Sequence, residues 1–194
     1  MTGEEDVRGA HLLDAVLSVI AEDGFAAVSM RTVAARAGVS LAQVQYYFKS
    51  KDDLIRAGFD HAGRLFLATL SAIRAEEPSV ERLRAIVTLW LPLDAAREKR
   101  ARVWLAYSAA AAVSPELAAE AAGLDAELRD WFAAELRGLV MTGTVRATVD
   151  PAATAARLLA LIDGVTVQAL MLPDDQREPL TRTVIDSFLA ELGD

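Results

Sequence analysis

The chain has 194 residues, 53% of them hydrophobic, with 20 basic against 28 acidic residues and a formal net charge of -8. That length fits one or two domains with a real core, and the absence of cysteine excludes disulfides and thiolate metal sites. The acidity disfavours indiscriminate nucleic-acid binding but leaves room for a local basic patch.

Ala, Leu and Val dominate while Gly and Pro are sparse, which favours helix over sheet. The opening MTGEEDVRGA is polar and acidic, unlike a signal peptide. Leu12, Val16, Val19 and Ile20 recur at helical spacing, so residues 8–22 read as a first amphipathic helix, stopped by Gly24. Ser29 then caps a short helix MRTVAARA, and Gly38 suits its left-handed stop. Ser40 caps a second short helix, LAQVQYYF, with Val44 and Phe48 inward. Ser50 caps a long helix from Lys51, where Ile55, Phe59, Ala62, Phe66, Leu70 and Ile73 step by threes and fours.

Further helices are expected from Ser79 to a stop at Pro92, from Asp94 to Val113, and from Ser114 to Met141 with a possible bend at Gly123. The segment after Met141 reads as a loop. Asp150-Pro151 opens a helix to Leu172, PDDQREP (173–179) reads as a second loop, and Leu180 to Leu192 forms the last helix. The expectation is an all-α fold of about nine helices, with residues 1–50 as one domain and 51–194 as another. The run LLALIDGVTVQALML (158–172) is broken by Asp163, Gly164 and Gln168, too short and polar to span a bilayer. A cytoplasmic protein with no membrane partner is expected.

Chemistry concentrates between Phe25 and Lys51, which hold Arg31, Arg36, Lys49 and Lys51 and no acid. Two short helices about a Gly turn, after a supporting helix, make a helix-turn-helix. The second helix of such a unit presents small or polar residues to base edges in the major groove. Leu41, Ala42 and Gln43 fit: the amide can pair with adenine and the aliphatic side chains can meet a thymine methyl. Gln45, Tyr46 and Tyr47 can donate to phosphates, and Lys51 opens the next helix, where charge and free N–H groups favour an anion.

Residues 8–56 resemble the DNA-binding domain of the TetR family of transcriptional regulators, through Gly24, Ser29, Arg31, Ala34, Ala37-Gly38-Val39-Ser40, Tyr47-Phe48, Lys51 and Leu54. Gln45 stands where that pattern often has Tyr. The resemblance implies that Ser29, Arg31, Ser40 and Leu41 to Tyr46 face DNA while Tyr47 and Lys51 hold the backbone. Residues 89–117 and 158–172 are similar to the regulatory domain of the choline-responsive, BetI-like branch, whose effectors vary.

The resemblance implies a homodimeric repressor that leaves a palindromic operator when an effector binds. The expected pocket residues are Phe66, Trp90, Trp104, Tyr107, Trp131 and Asp163, suited to an apolar molecule or an organic cation. Asp163 reads either as such a ligand-facing carboxylate or, the better-supported alternative, as a buried acid paired with a neighbouring helix. Gly164 reads as a close helix crossing. Leu158, Leu159, Leu161, Ile162 and Val165, with Val184, Phe188, Leu189 and Leu192, make two strongly apolar helices, the expected dimer interface. His11 and His61 lack partners at metal-ligand spacing, so neither metal nor cofactor is expected. No catalytic motif appears. The rivals are a helical adaptor without DNA binding and, behind it, an all-helical enzyme.

Overall fold

A computed structural model describes residues 3–74 and 77–193, with the side chains of 3–8, 72 and 74 outside the description. Among the described residues there are nine α-helices and no strand. They are α1 (Gly3–Asp23), α2 (Met30–Ala37), α3 (Leu41–Tyr47), α4 (Lys51–Arg74), α5 (Val80–Thr88), α6 (Ala95–Ala111), α7 (Pro115–Met141), α8 (Pro151–Leu170) and α9 (Asp174–Gly193). A single 3-10 turn, Phe25–Ala27, follows Gly24, which takes φ 87°. The chain divides into two compact units: residues 1–69 with 102–110, and 70–101 with 111–194. The 50/51 boundary expected from the sequence falls inside the first unit, because Leu54 and Ile55 at the start of α4 are buried in its core.

That core gathers Leu12, Val16, Val19 and Ile20 of α1 with Val33, Ala34, Val44, Leu54 and, from α6, Val103. Each such buried aliphatic side chain contributes roughly 1.5–3 kcal/mol relative to exposure. Gly58 lets α4 lie close on α1: a Cβ there would stand 2.9 Å from Val16 Cγ1. His11 Nε2 meets the Ala37 carbonyl at 2.9 Å, and His61 pairs with Asp14 at 3.0 Å. Both histidines thus have structural partners.

In the second unit α8 packs on α7 and α9. Its core runs through Leu83, Ile86 and Val87 of α5, Phe132, Leu136 and Leu139 of α7, and the inward sides of α8 and α9. Gly143 ends α7 with φ 73° while Thr144 and Val145 donate back to the Leu139 carbonyl, which satisfies the helix terminus. α7 runs unbroken through Gly123.

Two expectations need correction here. The segment 173–179 is not a loop: α9 starts at Asp174 and carries Pro179 inside it. Arg177 outweighs the proline. Its buried guanidinium holds Glu98 of α6 at 2.8 Å, Asp174 at 3.0 Å and the Leu172 carbonyl at 3.2 Å, and Thr181 Oγ1 donates to the Arg177 carbonyl. Nor does Gly164 mark a crossing within the chain: no atom lies within 4 Å of a Cβ placed there. By length and composition α8 could cross a membrane, but its apolar side, from Ala155 to Ala169, is buried within the protein.

Candidate nucleic-acid interface

The helix-turn-helix is built by its own polar side chains. Ser29 Oγ accepts from the Thr32 N–H at 3.1 Å, and Thr32 Oγ1 accepts from the Ser29 N–H at 2.9 Å. Gly38 closes α2 in the left-handed region at φ 67°, where a Cβ would be strained. Two residues later Ser40 Oγ accepts from the Gln43 N–H at 3.2 Å, and Gln43 Oε1 accepts from the Ser40 N–H at 3.3 Å. Each reciprocal pair satisfies two otherwise orphaned donors.

α3 then sits on Val44, which is fully buried. Ala42, Gln43, Gln45 and Tyr46 point outward, Tyr46 with 76% of its surface exposed. Leu41 is half-buried at the edge. Tyr47 is half-buried against the core and meets Tyr46 edge-on at 5.2 Å. Its ring therefore positions α3 as well as leaving an edge toward solvent. Arg31, Lys49 and Lys51 are exposed.

The structure corrects three details of the expected site. Gln43 is not a free amide: its oxygen caps α3. Arg36 is not part of the basic surface, because Glu22 and Asp23 at the end of α1 each hold its guanidinium at 2.7 Å. The start of α4 is not a simple anion site either. Ser50 Oγ accepts from the Asp53 N–H at 3.0 Å, and Asp52 and Asp53 fill the first turn, so the positive charge here lies on the exposed side chains of Lys49 and Lys51. Lys49 was visible in the sequence as half of Lys-Ser-Lys, but only its exposure places it on this face. The hydroxyls of Ser29 and Ser40 serve as caps.

The expected pocket residues divide between the units. Tyr107 is 4% exposed and lies against Phe59 at 4.7 Å, with Trp104 6.0 Å from Tyr107 and Phe66 half-buried on α4, all in the first unit. In the second unit Trp90 and Trp131 flank the fully buried Phe132 at 5.4 and 4.8 Å. Asp163 is exposed on α8 rather than buried. Two half-buried acids of that unit lie elsewhere: Glu135 pairs with Arg82 of α5, and Glu98 with Arg177.

The apolar residues expected between subunits are mostly core. Leu158, Leu159, Ile162, Val165, Phe188, Leu189 and Leu192 are at most 6% exposed within this chain, since α8 meets α7 and α9. Leu161 and Val184 are half-buried, and the outward side of α8 adds Val167 and the 73% exposed Met171.

Two family models match this architecture: the bacterial regulatory proteins of the TetR family over residues 12–57, and the C-terminal domain of the BetI-type transcriptional repressors over residues 79–194. The chain belongs to the TetR family of transcriptional regulators. The HTH-type transcriptional regulator BetI of Rhizobium meliloti (strain 1021) is 30% identical over 99% of this chain and 94% of its own. A transcriptional regulator from Rhodococcus sp. Rha1 superposes with a TM-score of 0.80 at 31% identity, covering 95% of each chain. A transcriptional regulator from Saccharomonospora viridis, solved in complex with choline, gives 0.79 at 25% identity over 93% of this chain and 96% of that one. The TetR-type head and the BetI-type regulatory domain make the chain a ligand-responsive, DNA-binding transcriptional regulator. The family is one of regulators, not of enzymes.

Proposed function

We propose that the chain is a cytoplasmic, homodimeric repressor without enzymatic activity, which holds a palindromic operator until a small apolar effector enters its regulatory half. One observation carries the reading: Ala42, Gln43, Gln45 and Tyr46 form an outward row over buried Val44, with Arg31, Lys49 and Lys51 exposed in the same acid-free stretch. Base edges and phosphates ask for that pairing of amide and small side chains with surrounding cations. The dimer face is the outer side of α8 and α9, with Leu161, Val167, Met171 and Val184, rather than the apolar residues already in the core. The rings of Trp90 and Trp131 supply apolar lining for the effector. An organic cation is less well served, because Glu135 and Glu98 are already engaged by arginines.

Selection of bound sequences from random DNA tests this directly. The expected result is an inverted repeat with half-site centres about one turn apart, roughly 34–36 Å. Enrichment of no sequence, or of a single unrepeated half-site by a monomer in sedimentation, would overturn the reading.

A further inference from the structure

Within the second unit, the chain between α7 and α8 folds back on the end of α9. The Arg146 N–H donates to the Leu192 carbonyl at 3.3 Å, and Arg146 Nη2 to the Glu191 carbonyl at 2.6 Å. Both belong to the carbonyls that a helix end leaves without partners. Arg157 of α8 is held by the Glu191 carboxylate at 2.8 Å, with its guanidinium 5.7 Å from the centre of the Phe188 ring. These groups border a cleft of about 460 Å³, with Val149 and Leu192 as its aliphatic part. That volume suits a small organic molecule. None of the residues expected to line the effector pocket borders it.

The cleft holds polar groups that the chain itself does not satisfy. Thr154 lines it and is only 7% exposed, yet its hydroxyl has no hydrogen-bond partner among the described residues. Thr88, Thr181 and Thr183 show the usual outcome, each returning its hydroxyl to the carbonyl four residues back. A nearly buried hydroxyl without a partner is costly and calls for one from outside. Arg146 and Arg157 each hold Glu191 through Nη2 alone, which leaves N–H donors on their other nitrogens. Charge is uneven too. Glu191 faces Arg157, and Asp150 Oδ1 accepts the Ala152 and Ala153 N–H groups at 2.9 and 3.2 Å. Arg146 has no acid opposite it among the described residues.

We propose that the cleft between Arg146, Thr154 and Arg157 binds a small organic carboxylate, at a site apart from the proposed effector lining. The fork of a guanidinium matches the two oxygens of a carboxylate. The Thr154 hydroxyl donates to the same head, and Val149 and Leu192 meet a short apolar body. An inorganic oxyanion shares the chemistry of the head but leaves most of the volume and both aliphatic side chains unused. The site goes beyond the operator reading and does not depend on it.

The experiment titrates the isotopically labelled full chain with benzoate and follows backbone amide signals. The titration runs to about 20 mM, past the millimolar affinity expected of a cleft open to solvent. The expected result is a saturable shift of signals from residues 146–157 and 191–192. Thr154→Val keeps the shape and removes only the hydroxyl. It should weaken benzoate about fivefold, and Arg146→Met about tenfold or more. Arg84→Met removes an arginine of the same unit that pairs with Asp186, and should leave the affinity unchanged. Inorganic phosphate should bind more weakly than benzoate. The proposal is overturned if the wild type shows no saturable shift, or if either cleft variant binds as tightly as wild type. Equal weakening in Arg84→Met overturns it too, as does phosphate binding as tightly as benzoate, which makes the cleft a plain oxyanion site. A changed sedimentation of Arg146→Met, with no benzoate bound by the wild type, gives the cleft to a subunit contact instead. If Arg146→Met fails to fold because the end of α9 loses its cap, Thr154→Val decides by the same titration. No DNA enters the titration, so its failure and that of the operator reading are separate results.

Discussion

The pair α2–α3 and the pair α8–α9 use side chains in opposite ways. In α3 one residue, Val44, is buried and the remaining polar side chains are left outward. In α8 a whole row from Thr154 to Ala169 is buried, and the few apolar residues that remain outward are scattered. The short helices stand because caps and a glycine turn hold them, with Ser29, Thr32, Gly38, Ser40 and Gln43 all acting within a few residues of one another. The long helices stand because they share a core. Local determination leaves surface free for work, whereas determination by packing occupies the very residues that a partner could have used.

The contrast makes its largest prediction in the second unit. Phe132→Ala removes the ring at the centre of the Trp90–Trp131 cluster, and is expected to cost about 3–5 kcal/mol by urea denaturation. A loss below about 1 kcal/mol would mean that Phe132 is not core and that the division drawn above fails there. In the first unit the most sensitive packing point is Gly58. Gly58→Ala forces a methyl onto the stiff, β-branched Val16, with an expected cost of about 1–3 kcal/mol in thermal unfolding. An unchanged melting temperature would show that α1 and α4 can separate freely.

Smaller effects sharpen the description of the reading surface. Gln43→Ala removes both the donor for a base and the acceptor that caps α3. It is expected to cost about 1–3 kcal/mol at one base pair per half-site and to lower head stability by about 1 kcal/mol. Gln43→Glu keeps the cap, so it should restore stability without restoring base preference. Restoration of both would remove the amide from readout. Lys51→Ala is expected to weaken all sequences alike and to flatten the salt dependence by about one unit per head. A changed sequence preference at constant salt slope would contradict a phosphate role.

The smallest effect concerns Asp94, the N-cap of α6. The Arg97 N–H holds its carboxyl below the ordinary 3.8, partly opposed by burial and helped by the Arg97 guanidinium. A depressed carboxyl contributes stability that is fully present above its unfolded value and disappears as pH falls through the folded one. Asp94→Ala should therefore cost about 1 kcal/mol near neutrality, and the gap to wild type should close below pH about 3.8. A gap that stays constant into acid would assign the loss to helix propensity instead.

The same contrast explains what could be read from the sequence. The helix-turn-helix was legible almost to the residue, since Ser29, Gly38 and Ser40 are local signals with one structural meaning each. Four side chains of the proposed reading surface, Ala42, Gln43, Gln45 and Tyr46, follow from it by helical geometry, while Arg31 is placed there by the family resemblance. The clamp of Arg36 by Glu22 and Asp23 was not legible, because it depends on how α1 and α2 cross. Nor was the start of α9: Pro179 argues for a loop locally, and only the tertiary contacts of Arg177 reverse that. The apolar rows of α8 and α9 were legible as rows, but a row does not say whether it faces its own chain or a second one. Asp163 was misjudged for a related reason. Apolar neighbours in sequence suggested burial, yet on a helix the adjacent residues point elsewhere.

On the proposed reading Gln43 both caps α3 and reads a base, and this limits how the operator can drift over generations. A residue at that position has to accept the Ser40 N–H if α3 is to start cleanly, so the variants open to selection are those with a carbonyl or carboxylate oxygen at the same reach. Arginine and lysine, the side chains that read guanine, have no acceptor and would loosen the helix that carries them. Neutral wandering at this one position is therefore confined to a small alphabet of side chains. A lineage that moves to a guanine-rich site has to change a different residue first, with Ala42 and Gln45 the nearest positions free of that double duty.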